Sequence, residues 1–513
     1  MSSSGSHPLG RHIACTTTTE RPIRPLVSDH SHPNTSSKEA TTLPESCRSA
    51  VVLGASIAGL LAASVLADFY SDVTVVERDI LPQQPVTRRG VPQGVLPHIP
   101  AARGMRIMDQ LLPGFLDELV AGGARVWNDG DLSRLCISFN GHRFQPSGRI
   151  PDPESLAMYY VHRPFLEWKL RRRVTAIPNV RIVEGHDAVR LTSTPLKHRV
   201  TGVVVARRDS GTEKVLSADL VVDATGRGSR TPVFLDELGY PRPREDELRV
   251  HVTYAGLPVH VPPGALREYI AFAAPQPSRP RGYAMFAGQN DTYMLAVQTV
   301  AGQPAPTDRA ALLDCLSEMA PPHVLAAARR AEPLADITQY RFPSNRWRRY
   351  DKLTRMPSGL IVIGDALCNF NPLYGQGMSV AAIEALALRD CLQRGHRDLP
   401  RRFFRRSAKE IRVAWRAAVS SDLALPQIAG KRPMSILLTN AYLERVLAAA
   451  ETEPALVQQF LRSLNMIDPP SRLLRPQMVA RVIRASRRRA GGGQTHVPTT
   501  ADAVRIEHPQ EQI

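Results

Sequence analysis

The setting of Asp365 in the sequence points to ligand binding. Asp365 follows a short apolar run, Leu360–Ile363, that predicts a buried strand. A glycine- and proline-rich loop, residues 371–377, comes next, and the pattern from Met378 to Leu392 predicts a helix. Open α/β sheets bind ligands at the carboxyl ends of strands, where a helix N-terminus favours negative charge. The alternative is an ordinary strand-to-helix turn in which Asp365 caps the helix.

A second segment has the spacing of a dinucleotide-binding turn. A predicted strand over residues 50–53 is followed by Gly54, Gly59 and an apolar helix, and a second predicted strand over residues 73–76 ends at Glu77. Glycines permit the tight turn and the close helix packing, and an acid about 20 residues later can bind a ribose hydroxyl. The segment therefore predicts a site for the adenosine half of a dinucleotide.

These two segments are far apart in the chain, and one long ligand that reaches both would explain them together. NAD needs only the turn at Gly54 with Glu77, whereas a flavin dinucleotide needs a further contact, such as that at Asp365, for its ribityl chain and ring. One position departs from the fingerprint, because Ser56 stands where a second glycine is expected. Serine is small, so we expect a pyrophosphate still to approach the turn.

A third apolar run, Leu220–Asp223, ends in Ala-Thr-Gly and is similar to the sheet edge near the flavin in glutathione-reductase-type folds. With it, the chain resembles the class A flavoprotein monooxygenases, the superfamily of para-hydroxybenzoate hydroxylase and squalene epoxidase. Within it, the chain most resembles the FAD-dependent epoxidases of bacterial polyether biosynthesis. The resemblance covers residues 49–392 and rests on Val75–Asp79, Arg88–Gln93 with His98, Asp223–Arg230, Asn345–Leu353 and Gly364–Met378.

The resemblance implies an α/β fold with a glutathione-reductase-type FAD-binding Rossmann domain. This domain would be interleaved with an antiparallel-sheet substrate domain and followed by a helical C-terminal region. Alternating apolar patterns agree with such a sheet, and Gly288–Asp291 reads as a hairpin turn within it. The expected parts are a disordered extension at 1–47, FAD-domain segments at 48–185, 186–244 and 341–395, a substrate domain at 245–340, helices at 396–485 and a disordered tail at 486–513.

The resemblance also implies which residues bind FAD. Arg88 or Arg89 would reach the phosphate or ribityl chain, and Arg163 would reach the cofactor from a helix; a surface position is the alternative for each arginine. His98 either hydrogen-bonds the flavin or has a structural role. No catalytic side chain is implied. The implied cofactor-binding residues are Gly54, Ser56, Gly59, Glu77, Arg78, Arg88, Arg89, Arg163, Asp365, Pro372, Gly375, Gly377 and Met378.

An enzyme of this kind inserts one oxygen atom from O₂ into a small apolar secondary metabolite, by epoxidation of an alkene or by hydroxylation, through a flavin C4a-hydroperoxide. The cofactor carries the difficult step, so no catalytic dyad or triad is required. NAD(P)H, or reduced flavin from a separate flavin reductase, would supply electrons. Thr225 stands where the hydroxylase branch has an aspartate that helps to bind NADPH, which argues against direct reduction by NADPH.

Two alternatives remain open. One is an FAD-dependent alkene reductase like the geranylgeranyl reductases, which oxygen consumption would distinguish. The other is a non-catalytic flavin-binding or carrier-docking protein. A flavin halogenase is disfavoured because the four tryptophans are isolated and form no Trp-x-Trp motif.

The net charge of +17 raises nucleic acid as a partner, but the excess is local and no nucleic-acid-binding motif is found. Arg401–Arg416 and Arg472–Arg489 carry most of it, and the first segment is amphipathic, with Phe404, Ile411 and Trp415 on one face. Three interpretations fit these segments: a solvated helix face, a binding surface for an acidic carrier protein that holds the substrate, and peripheral contact with an anionic membrane.

Cysteine and hydropathy patterns exclude further classes. The six cysteines include no Cys-x-x-Cys pair, so neither a zinc site nor a disulfide scaffold is predicted. No apolar run reaches the 18 residues typical of a membrane-spanning helix, and no signal-peptide pattern is seen at the N-terminus. These features predict a cytoplasmic protein without a bound metal.

Overall fold

The computed structural model describes residues 49–491, and the extension predicted at 1–47 lies outside the described residues. All the described residues belong to one compact unit. The strands are β1 (Ser49–Leu53), β2 (Asp72–Val76), β3 (Arg125–Trp127), β4 (Leu135–Phe139), β5 (His142–Arg143), β6 (Met158–Tyr160), β7 (Val180–Val183), β8 (His186–Ser193), β9 (Val200–Arg207), β10 (Glu213–Ser217), β11 (Leu220–Asp223), β12 (Glu245–His260), β13 (Ile270–Ala273), β14 (Arg281–Ala287), β15 (Thr292–Thr299), β16 (Glu332–Pro333), β17 (Thr338–Arg348), β18 (Leu360–Val362) and β19 (Cys368–Asn369).

Helices pack around these strands. They are α1 (Ile57–Leu66), α2 (Ala102–Leu111), α3 (Phe115–Ala121), α4 (Arg163–Thr175), α5 (Thr231–Glu237), α6 (Arg309–Ser317), α7 (Pro322–Arg330), α8 (Gly377–Leu392), α9 (Leu399–Asp422), α10 (Met434–Ala450), α11 (Pro454–Leu464) and α12 (Pro476–Gly491). Within residues 49–491, none of them is long and apolar enough to cross a membrane.

Five strands form a parallel sheet in the order β18–β11–β1–β2–β7. Strands covered on both faces need apolar side chains along their length, and β1, β11 and β18 are buried throughout or nearly so. Helix α1 packs against both α8 and the sheet. Because the strands are parallel, the turns that follow β18, β11, β1 and β2 lie at one edge of the sheet.

A nine-stranded, mostly antiparallel sheet forms the second layer. Its long central strand β12 pairs with β15 and β17, and the predicted hairpin joins β14 to β15 with Ala287 opposite Tyr293. The sheet exceeds the predicted bounds of 245–340, because β4, β5 and β19 also belong to it. Strand β4 pairs in parallel with β13, a partner that local periodicity does not reveal.

Helices α9 to α12 form the C-terminal region. Helix α9 buries Phe404 and Ile411 and places Trp415 against the same core, as its amphipathic pattern predicts. Helix α12 continues to Gly491, beyond the predicted end at residue 485, so the tail predicted from 486 is helical in its first residues. The rest of that tail lies outside the described residues.

Candidate functional site

A cleft of about 310 Å³ runs along the carboxyl edge of the parallel sheet. The strand order places Asp365, after β18, on one side of Gly54 and Glu77, after β2, on the other. With a strand spacing of about 4.8 Å, the two acids are roughly 14 Å apart across three intervals. Most of the predicted cofactor-binding residues line the cleft: Gly54, Ser56, Glu77, Arg78, Arg88, Arg163, Asp365, Pro372, Gly375, Gly377 and Met378.

Glycine is required at both ends of the turn after β1. Gly54 has a φ of +100°, and an added Cβ would lie 2.6 Å from the carbonyl oxygen of Ala224. At Gly59 an added Cβ would lie 1.8 Å from the Gly54 oxygen. Gly59 therefore allows α1 to pack against the turn, and it does not itself line the cleft.

Ser56, the departure from the glycine fingerprint, is held by α4. Its hydroxyl donates to Glu167 at 2.7 Å and accepts from Arg163 at 3.2 Å. Sequence reasoning missed Glu167, whose one local signal is its position four residues after Arg163, on the same face of the helix. The serine thus connects the turn to α4 while it lines the cleft.

Glu77 is buried at the β2 side of the cleft. Its carboxylate accepts hydrogen bonds from the backbone of Ala55 at 2.8 Å and of Asp79 at 3.0 Å, and it lies 3.2 Å from Arg88. Arg88 also pairs with Asp79 and Glu167, both at 2.8 Å. Burial alone would lower the pKa of Arg88, but the neighbouring carboxylates outweigh it and raise that pKa.

The other two arginines near this end differ in position. Arg78 is exposed at the edge of the cleft and pairs weakly with Asp187 at 3.8 Å. Arg89 is exposed and lines a separate, shallow depression with Ile80 and Arg208. Between the two arginines predicted to reach the cofactor, only Arg88 borders the cleft, because its side chain turns inward to the acids.

Asp365 supplies the carboxylate at the other end. Burial raises the pKa of Asp365, whereas the positive charges of Arg163 and Arg227 lower it. Arg163 is the first residue of α4, and its buried Nε has no hydrogen-bond partner in the described part of the chain. Arg163 and Asp365 both line the cleft, where a polar ligand can form hydrogen bonds with them.

The loop before α8 offers backbone donors. Gly375 adopts a φ of +63°, and α8 begins at Gly377. The first amides of a helix have no intrahelical acceptor and carry partial positive charge. The side-chain oxygen of Gln376 is also buried without a partner among residues 49–491. The oxygens of a phosphate, a ribityl chain or a ring carbonyl can accept hydrogen bonds from these backbone amides at the start of α8.

A buried polar network fixes this loop. Asp422, the last residue of α9, accepts hydrogen bonds from Tyr374 at 2.7 Å, Asn371 at 3.0 Å and Asn345 at 2.5 Å. Tyr254 of β12 donates to the side chain of Asn371 at 2.6 Å. The antiparallel sheet and a C-terminal helix therefore hold the loop from behind.

The third motif forms a closed turn around Asp223. The carboxylate of Asp223 accepts hydrogen bonds from the hydroxyls of Thr225, Ser229 and Thr231, each at 2.5 Å. Thr225 lines the cleft. Asp223 also borders the cleft, but its buried carboxylate is occupied by these hydroxyls, whereas Thr225 is exposed there.

His98 borders the cleft as a neutral imidazole. Its Nδ1 donates to the Leu96 carbonyl at 2.7 Å, which leaves Nε2 as an acceptor. Burial, together with the charge of Arg163, lowers the pKa of His98 to about 3.

A second cavity of about 120 Å³ adjoins the cleft. Pro372 and Gly375 line both spaces, so the loop before α8 forms their common wall. The remaining lining is mainly aliphatic and aromatic and comes from the antiparallel sheet, the segment after Leu96 and helix α11. No cluster of potential metal ligands is found in residues 49–491.

No protein-family model matches the chain. Protein Rv3254 from Mycobacterium tuberculosis (strain ATCC 25618 / H37Rv) is 38% identical over 441 residues, which cover 82% of this chain and 90% of the relative. A flavoprotein/dehydrogenase from Cytophaga hutchinsonii has a TM-score of 0.61 at 14% identity, over 86% of this chain and 99% of that structure.

Two further solved structures share the fold. The p-nitrophenol 4-monooxygenase PnpA from Pseudomonas putida DLL-E4 has a TM-score of 0.56 at 14% identity, over 83% of this chain and 99% of that one. PqsL, a probable FAD-dependent monooxygenase from Pseudomonas aeruginosa, has a TM-score of 0.54 at 16% identity. The match covers 80% of this chain and 99% of the PqsL chain. The specific closeness to polyether epoxidases stays a prediction. The chain has the fold of the flavoprotein monooxygenases and belongs to the protein family of Protein Rv3254.

Proposed function

We propose that the protein is an FAD-dependent monooxygenase that inserts one oxygen atom from O₂ into a neutral apolar substrate. The observation that carries this proposal is the pair of cavities that meet at Pro372 and Gly375. One cavity is a cleft with several charged side chains at the edge of a parallel sheet, and the other is a more apolar space. A dinucleotide and its substrate need two such spaces with a common boundary.

The residues of the cleft fit FAD. The Gly54 turn leaves no room for a side chain, Arg163 Nε is buried without a partner among the described residues, and the first amides of α8 have no intrahelical acceptor. Glu77 and Asp365 stand on opposite sides of the turn, as the two ends of a dinucleotide require. When bound and reduced, the flavin supplies the reaction with O₂.

The chain's own residues would bind and orient the cofactor and would exclude water from the site. Arg163 and the amides of α8 would hold acceptor groups of the cofactor, and Asp365 would accept from its hydroxyls. Asn371 and Asp422 would keep the common wall in place. The apolar lining would exclude water from the transferred oxygen.

Epoxidation of an alkene is the form of the reaction that the apolar cavity supports best. Ring hydroxylation of a phenol gains from a base that removes the phenolic proton. The ionisable side chains lining the cavity are Tyr254 and Tyr374, and burial raises the pKa of each well above its usual value, with Asp422 adding to the effect. Transfer of an electrophilic oxygen to a double bond needs no such base.

Reconstitution with FAD, anaerobic reduction and exposure to ¹⁸O₂ would test the proposal. A panel of polyenes, terpenoids and phenols would be added, and products would be read by mass. We expect one equivalent of releasable FAD and a product that carries one ¹⁸O atom. A product that gains two hydrogens without oxygen would identify an alkene reductase, and failure to bind FAD would refute the assignment.

A further inference from the structure

One side chain in the apolar cavity has a polar group that the protein does not use. The cavity is bounded by large apolar residues such as Phe139, Phe272, Phe286 and Ile270, and no charged residue of the described chain, 49–491, lines it. A ligand here must therefore be mostly apolar, and an anionic group would be buried without a counter-charge.

The polar side chains of the cavity are almost all satisfied from within. Tyr254 donates to Asn371, and Tyr374 donates to Asp422. Asn465 accepts from the backbone of Ala102 at 3.0 Å and donates to the Leu461 carbonyl at 3.0 Å. None of these groups needs a ligand to complete its hydrogen bonds.

Gln298 is the exception. It lies on β15, only 5% exposed, and its Nε2 has no hydrogen-bond partner in the described part of the chain. Tyr254 on β12 and Gly282 on β14 are its cross-strand neighbours. A Cβ at Gly282 would lie 2.6 Å from Nε2, so the glycine makes the space that the amide occupies.

An unpaired buried donor costs free energy that an acceptor on a ligand can recover. A site built in this way also rejects analogues that lack the acceptor, because they leave the donor unpaired. Gln298 is therefore, among the described residues, the one lining side chain whose unpaired donor a ligand could satisfy, and the absence of a side chain at Gly282 leaves room for its amide.

We propose that Gln298 is a specificity-determining residue that donates a hydrogen bond from Nε2 to an oxygen of a neutral, otherwise apolar substrate. The oxygen belongs to a carbonyl, ether or hydroxyl group. This inference rests on the proposed function, in which the same cavity holds the substrate. The contact would fix which end of the substrate faces the wall formed by Pro372 and Gly375, and hence which bond receives oxygen.

Three matched probes test the proposal in the full-length protein. They are 2-acetylnaphthalene, which is neutral with an acceptor, 2-ethylnaphthalene, which lacks it, and 2-naphthoate, which is anionic. Binding would be measured by equilibrium dialysis, with FAD content and melting temperature determined on the same samples. The variants are Gln298→Met, which keeps the length but removes the donor, and Gln339→Met, at an exposed position of β17 outside the cavity.

We expect the wild-type protein and Gln339→Met to bind the ketone about 10-fold more tightly than the hydrocarbon, and naphthoate weakly. Gln298→Met should reduce the preference to less than about 2-fold at unchanged FAD content. The proposal would be overturned if the wild type bound ketone and hydrocarbon equally, preferred naphthoate or bound no probe. It would also be overturned if the preference for the ketone survived in Gln298→Met. If the wild type did not bind FAD, the proposed function would be refuted, and the probe measurements would still report on Gln298.

Discussion

At the scale of single residues, Asp365 and Glu77 perform different tasks at the two ends of the cleft. Burial raises the pKa of Asp365, the charges of nearby Arg163 and Arg227 oppose that rise, and the residue lines the cleft where a ligand would lie. Glu77 is already engaged by two backbone amides and Arg88. Loss of the Asp365 carboxylate should therefore weaken cofactor binding, and loss of the Glu77 carboxylate should affect both cofactor binding and stability.

The first prediction concerns Asp365→Ala. A lost hydrogen bond to a charged group costs about 1.5–3 kcal/mol, which corresponds to FAD binding weakened roughly 10- to 150-fold. Quenching of flavin fluorescence on titration gives the dissociation constant. Arg405→Ala, which removes an exposed charge of α9, is the matched control and should bind FAD like the wild type. Equal dissociation constants for the two variants would contradict the role of Asp365.

The second prediction concerns Glu77. Glu77→Ala should weaken FAD binding and also lower the free energy of unfolding by about 1–3 kcal/mol, because buried donors lose their acceptor. Glu77→Gln retains an oxygen for the Ala55 amide and should recover part of that stability. Urea unfolding and FAD titration of both variants provide the measurements. A fully stable Glu77→Ala protein would show that these backbone contacts contribute little.

At the scale of elements, Arg348 of β17 connects the two layers. Its guanidinium donates to the carbonyl of Ala366 at 2.7 Å and of Arg227 at 3.1 Å, and it pairs with Glu245 at 2.9 Å. The turns after β18 and β11 are thereby tied to the antiparallel sheet. These contacts account for one of the three arginines, Arg346, Arg348 and Arg349, that follow Asn345 in the sequence.

The third prediction is that Arg348→Lys lowers the free energy of unfolding by about 2–4 kcal/mol and weakens FAD binding. A lysine ammonium cannot reach three acceptors that match the planar fork of arginine. Arg330→Lys, at an exposed position of α7, should leave both quantities unchanged. Thermal unfolding with and without FAD is the measurement, and a shift no larger than that of the control would count against the connection.

Local sequence patterns predicted the elements that carry the site better than the contacts between them. The turns at Gly54, Glu77 and Asp365 depend on residues near in sequence, and the structure brings all three to one edge. Glu167 and Asp422 act through partners more than 45 positions away, as in the pairs Ser56–Glu167 and Tyr374–Asp422. Periodicity identifies strands and helix faces but does not say which of them meet.

The fourth prediction follows from Asp422. Burial raises the pKa of Asp422 to about 6, although hydrogen bonds from Tyr374, Asn371 and Asn345 oppose the rise. An aspartate in the unfolded chain has a pKa of about 3.9, so the folded protein holds this proton more tightly. The proton's contribution to stability is complete below pH 4 and is lost as the pH rises through 6.

The stability advantage of the wild type over Asp422→Asn should therefore be larger at pH 5 than at pH 7.5, by about 1.4 kcal/mol. Urea unfolding at the two pH values measures it. Asp390→Asn, on α8, controls for the general pH dependence. A difference between wild type and Asp422→Asn that does not change with pH would show that Asp422 titrates normally.

At the scale of the whole molecule, much of the positive charge lies on the outer face of α9. The inner face of α9 is buried in the core, whereas Arg401, Arg405, Arg412 and other basic residues of α9 are exposed. Some of the outer charges are paired, as between Arg406 and Asp390 at 3.1 Å. Contact of this helix with an acidic carrier protein or an anionic membrane stays a prediction.

The last prediction concerns the electron source of the whole enzyme. In the proposed function, electrons must reach a flavin in the cleft, and the only dinucleotide turn with a following strand and acid in residues 49–491 is the one at Gly54. The third motif presents Thr225 to the cleft, and its acid, Asp223, is buried and occupied by three hydroxyls. No carboxylate of that turn is left to organise a second nucleotide at the cleft.

We therefore expect NADPH alone to reduce the bound flavin slowly, and dithionite or a separate flavin reductase to reduce it quickly. The measurement is anaerobic stopped-flow bleaching of the oxidised flavin band, with and without a candidate substrate. Thr225→Asp provides a gain-of-function comparison, because it places a carboxylate at the cleft as in the hydroxylase branch. Fast, saturable bleaching of the wild-type flavin by NADPH would show that a nicotinamide docks here without this acid.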